Sequence, residues 1–245
     1  MSKICIIIPC YNEGERLPVQ GFKKFSDTNE KISFLFVNDA STDNTKDVLE
    51  ELCKNDTHFK YINLDVNQGK SGAVLNGMQH AIKEDFNIYG YFDADLATPL
   101  NEILRLAKFI DNDNMVFSFG SRIRKIGSQV NRTVKRHIFG RIFATFASNI
   151  LKLAVYDTQC GAKLFSKEAA IIAFKDAFVS RWFFDIEIIH RLKEHYGDSF
   201  LQRSMELPVI QWKEVLDSKI TFKDMIKTPL ELMKIKNSFK TKTNG

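Results

Sequence analysis

The hydrophobic pattern of the first 120 residues alternates between two spacings. Short apolar runs rich in β-branched and aromatic residues predict five buried strands. These runs are Ile4–Ile8, Ile32–Val37, Phe59–Leu64, Ile88–Phe92 and Met115–Phe119. Stretches with helical spacing lie between them, including Thr45–Lys54 and Ser71–Asp85, and a further helix is expected near Pro99 with Thr98 as its cap. The alternation predicts an α/β fold with a mostly parallel, Rossmann-like sheet and helices on both faces.

Polar residues follow each predicted strand. In sheets of this kind ligands bind beyond the carboxyl ends of the strands, so these residues predict a site. One polar strand end would be a solvated turn, whereas five in succession favour a shared rim. The polar segments are Tyr11–Glu13, Asn38–Asp43, Asn67–Lys70, Asp93–Asp95 and Gly120–Arg122.

The pair Asp93 and Asp95 is the sharpest chemical signal. Two carboxylates two residues apart at the end of a buried strand can face one hard cation, which would in turn hold diphosphate oxygens. Mg²⁺ and Mn²⁺ suit this arrangement, because they accept a few carboxylates and leave other positions to phosphate. The alternative is a turn in which the aspartates hydrogen bond to nearby backbone.

The other rim residues each have two interpretations. Asp39 could accept the N3–H of a uracil, with Tyr11 and Glu13 bounding the base, or it could cap the following helix, as Asp43 could. Lys70 could contact phosphate or simply begin a helix. The residues alone leave these alternatives open.

Taken together, the rim motifs resemble those of family 2 glycosyltransferases. The motifs are Pro9-x-Tyr11-Asn12-Glu13, Asn38-Asp39-x-Ser41-x-Asp43-x-Thr45, Asn67-x-Gly69-Lys70 and Asp93-x-Asp95. Three longer runs resemble the dolichyl-phosphate β-glucosyltransferase branch and its bacterial polyprenyl-phosphate relatives. They are Asp93–Pro99, Asp157–Phe165 and Arg181–Glu187. The resemblance covers residues 3–215.

The resemblance implies a GT-A fold over residues 1–215, followed by a lysine-rich amphipathic tail over residues 216–245. It implies a nucleotide-sugar donor, with UDP-glucose expected, and a Mg²⁺ or Mn²⁺ ion held by Asp93 and Asp95. Arg181, Trp182 and Asp185 would close over the sugar, although Trp182 could equally be a core residue. The implied nucleotide-sugar site comprises Pro9, Tyr11, Glu13, Val37, Asp39, Lys70, Asp93, Ala94, Asp95, Arg181, Trp182 and Asp185.

The resemblance further implies inverting transfer of the sugar to a polyprenyl phosphate. Arg122 and Arg136 would screen the charges of donor and acceptor, and Asp157 is either a base or sugar-orienting group or a turn residue near Gly161. One alternative keeps the fold but uses a soluble saccharide acceptor, which would need Asp157 as a base. Another is a non-catalytic module that binds nucleotide-sugars or membranes.

Charge placement indicates how the chain would meet its acceptor. The net charge is +5, and residues 122–156 contain eight Arg or Lys and no acid. This basic segment leads into an aromatic-rich helix over Ile138–Leu151, which could lie at a membrane interface or pack on the core. The lysine-rich tail has a similar character. Without a recognised nucleic-acid motif around the patch, no nucleic-acid partner is expected.

Composition completes the prediction. The chain is 44% hydrophobic and 27% charged, as expected for a globular protein with a substantial core. It has no apolar run of the roughly 20 residues that a membrane span needs. Its four cysteines lack metal-ligand spacing and suit a reduced compartment. We therefore expect a cytoplasmic protein attached peripherally to the cytoplasmic face of a membrane, with its oligomeric state left open.

Overall fold

The computed structural model describes residues 2–111, 115–131, 134–213 and 231–239, with side chains described in these ranges except at 131, 134–137 and 139. The strands are Ile4–Cys10 (β1), Ile32–Asn38 (β2), Phe59–Asn63 (β3), Ile88–Phe92 (β4), Phe117–Ser121 (β5), Gln129–Asn131 (β6), Ala162–Ser166 (β7), Ser204–Pro208 (β8) and Gln211–Lys213 (β9). The helices are Val19–Ser26 (α1), Thr45–Cys53 (α2), Gly69–Ala81 (α3), Asn101–Ile110 (α4), Val134–Leu151 (α5), Lys167–Ala173 (α6) and Phe184–Tyr196 (α7). A short 3₁₀ helix covers Gly197–Phe200, and residues 231–239 are helical.

In the described part of the chain, one sheet has the strand order β3-β2-β1-β4-β7-β5-β8. Neighbours from β3 to β4 are parallel, as are β5 and β8, whereas β7 runs antiparallel to both β4 and β5. Strands β6 and β9 pair separately. The predicted α/β fold with a mostly parallel sheet is confirmed, and the five predicted strands are present. Their carboxyl ends therefore share one edge.

The central strand β1 explains why the first apolar run has no polar alternation. Ile6 and Ile8 belong to a buried cluster on one face of the sheet, and Cys5 and Ile7 belong to a cluster on the other. Helices cover both faces, so every position of this strand except Pro9 is buried. The helices α1, α2 and α4 contribute to the first cluster through Phe22, Leu49 and Ile103, and α3 and α7 to the second through Val74 and Ile188.

The predicted cap of the fourth helix is wrong. Helix α4 begins at Asn101, and Thr98 is buried with its hydroxyl 4.0 Å from the Cys160 Sγ. The amide of Glu102 instead donates to the Pro99 carbonyl. A tight backbone turn therefore leads into α4, and Thr98 is buried beside Cys160 instead of capping the helix.

The C-terminal helical segment 231–239 packs on the core. Leu232 and Ile235 are buried in the cluster that contains α7, and the ring of Phe239 stacks on His190 with centroids 3.5 Å apart. Residues 216–230 of the predicted tail lie outside the described residues, so the boundary near residue 215 stays a prediction. Across the described ranges, no helix has the length and apolar character needed to cross a membrane.

Candidate functional site

The loops after β1 and β2 are fastened to each other by backbone hydrogen bonds. Asp43 accepts from the amides of Gly14 and Thr45 at 3.1 and 3.0 Å, and the Glu13 amide donates to the Thr45 hydroxyl at 2.8 Å. Partial burial opposes ionisation of Asp43, but these donors outweigh it and lower its pKa. Asp43 thus caps the start of α2, as one interpretation predicted. The Glu13 carboxylate lies at the rim and pairs with Arg16 at 3.1 Å.

Asp39 holds the beginning of a different helix from the one expected. Its two carboxylate oxygens accept from the backbone amides of Gln68 and Gly69 at 2.7 and 2.8 Å, so it caps α3 rather than α2. The predicted capping of α2 by Asp39 is wrong. The parallel pairing of β2 and β3 brings the loop after β3 (the third loop) beside the loop after β2 (the second loop). Burial raises the pKa of Asp39 despite these donors. Recognition of a uracil base by Asp39 stays a prediction.

Arg181 binds the carbonyl oxygens of the same loop whose amides bind Asp39. Its guanidinium donates to the carbonyl oxygens of Asn67 at 2.9 Å and Gln68 at 3.3 Å, while its own carbonyl accepts from the Ser71 amide. The segment 67–70 is therefore held between Asp39 and Arg181, with Gly69 at a positive φ of 74°. The structure brings Arg181 into the predicted site through the loop that carries Lys70.

The predicted carboxylate pair lies at the end of β4. Asp93 forms an ion pair with Lys70, and its amide donates to the Gly161 carbonyl at 3.1 Å. A Cβ at Gly161 would lie 1.8 Å from an Asp93 carboxylate oxygen, so only glycine fits there. Asp95 is exposed and accepts from the Ala97 amide at 2.9 Å, which is the predicted alternative of a local turn. Although the residue as a whole is exposed, desolvation of its carboxylate by the surrounding atoms, followed by the charge of Asp93, raises the pKa of Asp95.

These residues fit a divalent cation that shares its coordination with phosphate. Among the described residues, no group of three or more metal-ligating side chains occurs, so the protein itself offers two carboxylates here. Mg²⁺ and Mn²⁺ commonly bind through one or two carboxylates and substrate phosphates. The site is suited to either metal.

Four predicted donor-site residues frame the rim from below. Pro9 and Val37 are register partners at the ends of β1 and β2, and Val37 is fully buried against α3. Ala94 is buried between the two aspartates, whereas Tyr11 is partly exposed beside the first loop. Val37 and Ala94 therefore shape the backbone of the rim, and Tyr11 is the one of the four that presents an accessible ring.

Asp185 lies beneath the rim in a buried network that the sequence did not reveal. One of its oxygens accepts from Lys163 at 2.6 Å and from the Tyr91 hydroxyl. Lys163 is fully buried and also donates to the Cys160 carbonyl at 2.6 Å. Burial and the charge of Asp185 raise the pKa of Tyr91, so it remains a donor. Lys163 lies within a run that carried the family resemblance, which was its only signal.

Trp182 is half-buried and lies outside both buried clusters of the described chain. The core alternative therefore receives no support from the packing. Closure of Trp182 and Asp185 over the sugar stays a prediction.

Arg122 and Asp157, both predicted to act in catalysis, are bound to each other. The guanidinium donates to the two carboxylate oxygens at 2.7 and 2.8 Å, and the amides of Arg122 and Gln159 donate to the same carboxylate. Glu206, missed from the sequence, accepts from the amides of Tyr156 and Asp157 at 2.9 and 2.8 Å. Burial raises the pKa of Glu206. This geometry favours a turn and ion-pair role for Asp157 over a base.

Helix α5 joins the core with one face only. Ala144, Ala147 and Leu151 are buried, while an exposed stripe of apolar residues runs along the other face at helical spacing. We call this the α5 stripe, and its members are Ile138, Ile142 and Phe146. The interpretation that this helix packs on the core is right for one face, and its position at a membrane interface stays a prediction. Arg136 lies in α5, but its side chain is outside the described residues.

The sequence of the chain is similar to those of known glycosyltransferases. Residues 5–171 match the sequence model described as Glycosyl transferase family 2. The chain is 31% identical to the dolichyl-phosphate beta-glucosyltransferase ALG5C of Trichomonas vaginalis, covering 94% of this chain and 69% of that protein. It is 28% identical to the dolichyl-phosphate beta-glucosyltransferase of Saccharomyces cerevisiae, covering 96% and 75%.

Among solved structures, the chain is similar to a Mycobacterium tuberculosis glucosyl-3-phosphoglycerate synthase in complex with Mn²⁺, UDP-glucose and phosphoglyceric acid. The TM-score is 0.64 at 12% identity, covering 96% of this chain and 80% of that one. At this identity the likeness shows a shared fold.

Proposed function

Because the chain belongs to glycosyl transferase family 2, we propose that it moves glucose from UDP-glucose to a polyprenyl phosphate with inversion, giving a β-linked glucosyl phosphate lipid. The chain is a glycosyltransferase with the GT-A fold. The two relatives compared above are named dolichyl-phosphate beta-glucosyltransferases and match nearly its whole length, which supports both the sugar and the acceptor class.

The ion pair between Asp157 and Arg122 is the observation that favours a phosphate acceptor. A saccharide hydroxyl must lose a proton to attack, so a soluble saccharide acceptor would need a base with an available oxygen. Both oxygens of Asp157 are engaged by the Arg122 guanidinium. A lipid monophosphate is already anionic and needs positioning and charge screening instead. The geometry therefore supports the polyprenyl phosphate over the saccharide.

On the donor side, Asp93 and Asp95 would hold Mg²⁺ or Mn²⁺ against the diphosphate. When bound, the metal would neutralise negative charge on the departing nucleoside diphosphate. Lys70 lies beside Asp93 and would contact a phosphate oxygen, while Tyr11 and Asp39 would bound and recognise the base. The glucosyl-3-phosphoglycerate synthase complex contains Mn²⁺ and UDP-glucose, which supports this donor and a divalent cation.

The acceptor would reach the rim from a membrane surface. The α5 stripe supplies apolar side chains, and Arg124, Lys125 and Arg141 are exposed on the same basic segment. An amphipathic helix of this kind binds an interface by partial insertion, helped by anionic lipid headgroups. We place the protein peripherally on the cytoplasmic face of a membrane as part of the same proposal.

The test is release of nucleoside diphosphate by the purified chain from a panel of nucleotide-sugars, with and without a short polyprenyl phosphate. We expect release that depends on the lipid phosphate and is fastest with UDP-glucose. Release that requires a soluble saccharide instead would establish the alternative acceptor. Binding of nucleotide-sugars without turnover on any acceptor would favour a non-catalytic module.

A further inference from the structure

Lys70 occupies a position from which it can act on both the metal and the nucleotide. It lies in the first turn of α3, and its ammonium forms an ion pair with Asp93, one of the two carboxylates proposed to bind the metal. Its side chain is 25% exposed, and its ammonium is under the influence of Asp185 beneath the rim as well as of Asp93. The contact therefore joins the third loop directly to the metal ligands.

The backbone that carries Lys70 is fixed while its side chain remains long and adjustable. Asp39 binds the amides of Gln68 and Gly69, and Arg181 binds the carbonyl oxygens on the other side of the same segment. Movement of the ammonium must consequently come from rotation about side-chain bonds. A lysine has four such bonds and a compact charge, which suits it to exchange one oxygen partner for another nearby.

A divalent cation at Asp93 would compete with this ammonium. Two like charges a few ångströms apart repel strongly near a protein surface, and both would use the same carboxylate. The metal would therefore have to displace Lys70 from Asp93. Without a bound phosphate, the displaced ammonium would lose its ion pair with Asp93 and keep only the weaker influence of Asp185 and Asp95. A nucleoside diphosphate that arrives with the metal would give Lys70 new oxygen partners.

We propose that Lys70 couples the binding of metal and nucleotide. Its ion pair with Asp93 weakens the affinity of Asp93 and Asp95 for a divalent cation until the ammonium donates to a bound diphosphate instead. This inference rests on the proposed nucleotide-sugar donor and extends it to the order and cooperativity of binding. Coupling between two ligands is reciprocal, so the metal must strengthen nucleotide binding by the same factor.

The decisive experiment is titration of Mn²⁺ into the purified full chain without nucleotide, followed by electron paramagnetic resonance. The chain set is wild type, Lys70→Met, Lys70→Arg and Lys60→Met. Lys60 is the matched control, because it also pairs with a carboxylate, Glu84 at 2.8 Å, on an exposed surface. We expect Lys70→Met to bind Mn²⁺ about five-fold or more tightly than wild type. Lys70→Arg and Lys60→Met should remain close to wild type.

A second titration uses UDP in excess chelator, where we expect Lys70→Met to bind more weakly than wild type. Opposite changes in metal and nucleotide affinity distinguish coupling from a simple phosphate contact, which leaves the Mn²⁺ affinity unchanged. Unchanged or weaker Mn²⁺ binding in a folded Lys70→Met protein, verified by its melting curve, would overturn the proposal. Equal tightening in Lys60→Met would also overturn it. If the donor is not a uridine nucleotide, UDP will bind none of the chains, while the Mn²⁺ comparison still responds.

Discussion

The two halves of the rim use similar acidic side chains for different purposes. In the proposed donor half, formed by the loops after β1 to β4, Asp93 and Asp95 reach the surface, and Asp93 pairs with Lys70. In the acceptor half, formed by residues 122–161 and β8, Asp157 and Glu206 are largely enclosed by backbone amides and Arg122. A cation binds most readily to carboxylates whose oxygens are open, as in Asp93 and Asp95, whereas Asp39 in the same half already accepts two backbone amides. The donor half is therefore built to bind, and the acceptor half to hold its own shape.

The largest effect should come from removing an open carboxylate. Asp95→Ala should lower the rate of glucosyl transfer by at least about a hundred-fold, because a metal-held diphosphate loses one of two protein ligands. Since Asp95 is exposed, the melting temperature of the Asp95→Ala variant should stay near that of wild type. Rates of UDP release and melting curves measure the two quantities.

Asp85→Ala is the matched control, because the Asp85 side chain is 94% exposed and precedes β4, whose other end carries Asp93 and Asp95. It should transfer glucose at the wild-type rate. Excess chelator should reduce wild-type turnover to the level of Asp95→Ala. Full wild-type activity in chelator would contradict the metal assignment.

The acceptor half should respond in stability. Asp157→Asn leaves the Arg122 guanidinium in a mostly buried position without its charged partner, and we expect the free energy of unfolding to fall by about 3 kcal/mol. The dependence of kcat on pH should keep its shape, since no base is removed. Urea unfolding and a pH series measure these. Loss of a pH limb with unchanged stability would instead identify Asp157 as a base and revive the saccharide acceptor.

The α5 stripe should control membrane attachment. Combined replacement of Ile138, Ile142 and Phe146 by Ser should weaken binding to anionic vesicles at least about ten-fold, because three half-exposed apolar side chains no longer enter the interface. Vesicle sedimentation measures the change, and turnover on a short, water-soluble acceptor should be retained.

The control carries the same number of Ser replacements at exposed apolar positions elsewhere, namely Ile171, Val179 and Leu201. It should sediment like wild type. If both triple variants lose binding equally, attachment is not specific to α5. In addition, higher salt should weaken the wild type but leave residual binding, since the apolar contribution is not screened.

The smallest effect concerns the hydrogen bonds of Asp43 that link the loops after β1 and β2. Asp43→Ala should lower the free energy of unfolding by about 1 kcal/mol at neutral pH, through loss of a helix cap. The pKa of Asp43 is lowered in the fold, so its contribution is present above the ordinary value of about 3.9 and is lost as pH falls through the lower, folded value. Urea unfolding should show wild type and variant converging under acid. A gap that widens on acidification would contradict this sign.

Local pattern predicted the parallel part of the fold well. The five apolar runs became strands with small shifts, for example Met115–Phe119 became Phe117–Ser121. The insertion of β7 between β4 and β5 could not be predicted, because hydrophobic periodicity does not encode strand order. The prediction that Thr98 caps α4 was wrong for a related reason, because its contact with Cys160 in the core spans 62 residues of sequence.

In the site, too, residues identified by local motifs were predicted, and contacts between distant segments were not. Motif spacing identified Asp93, Asp95 and Lys70, because residues just after parallel strands must share an edge. It could not show that Asp39 would cap α3, since that contact requires the third loop to lie against the second. Lys163 and Glu206 were missed because each matters only through a partner distant in the chain.

The antiparallel strand β7 makes residues 122–161 an excursion from the sheet whose two ends lie side by side. They leave the sheet at the end of β5 and return at the start of β7, and those strands are hydrogen-bonded neighbours, so the two ends of the excursion meet. Lengthening or exchanging such an excursion costs little closure entropy, because its ends stay anchored. Under the proposed function, insertions at the exposed positions of this excursion would change the acceptor site while the loops after β1 to β4 keep the donor. The same sheet could in this way serve different acceptors through changes between two adjacent strand ends.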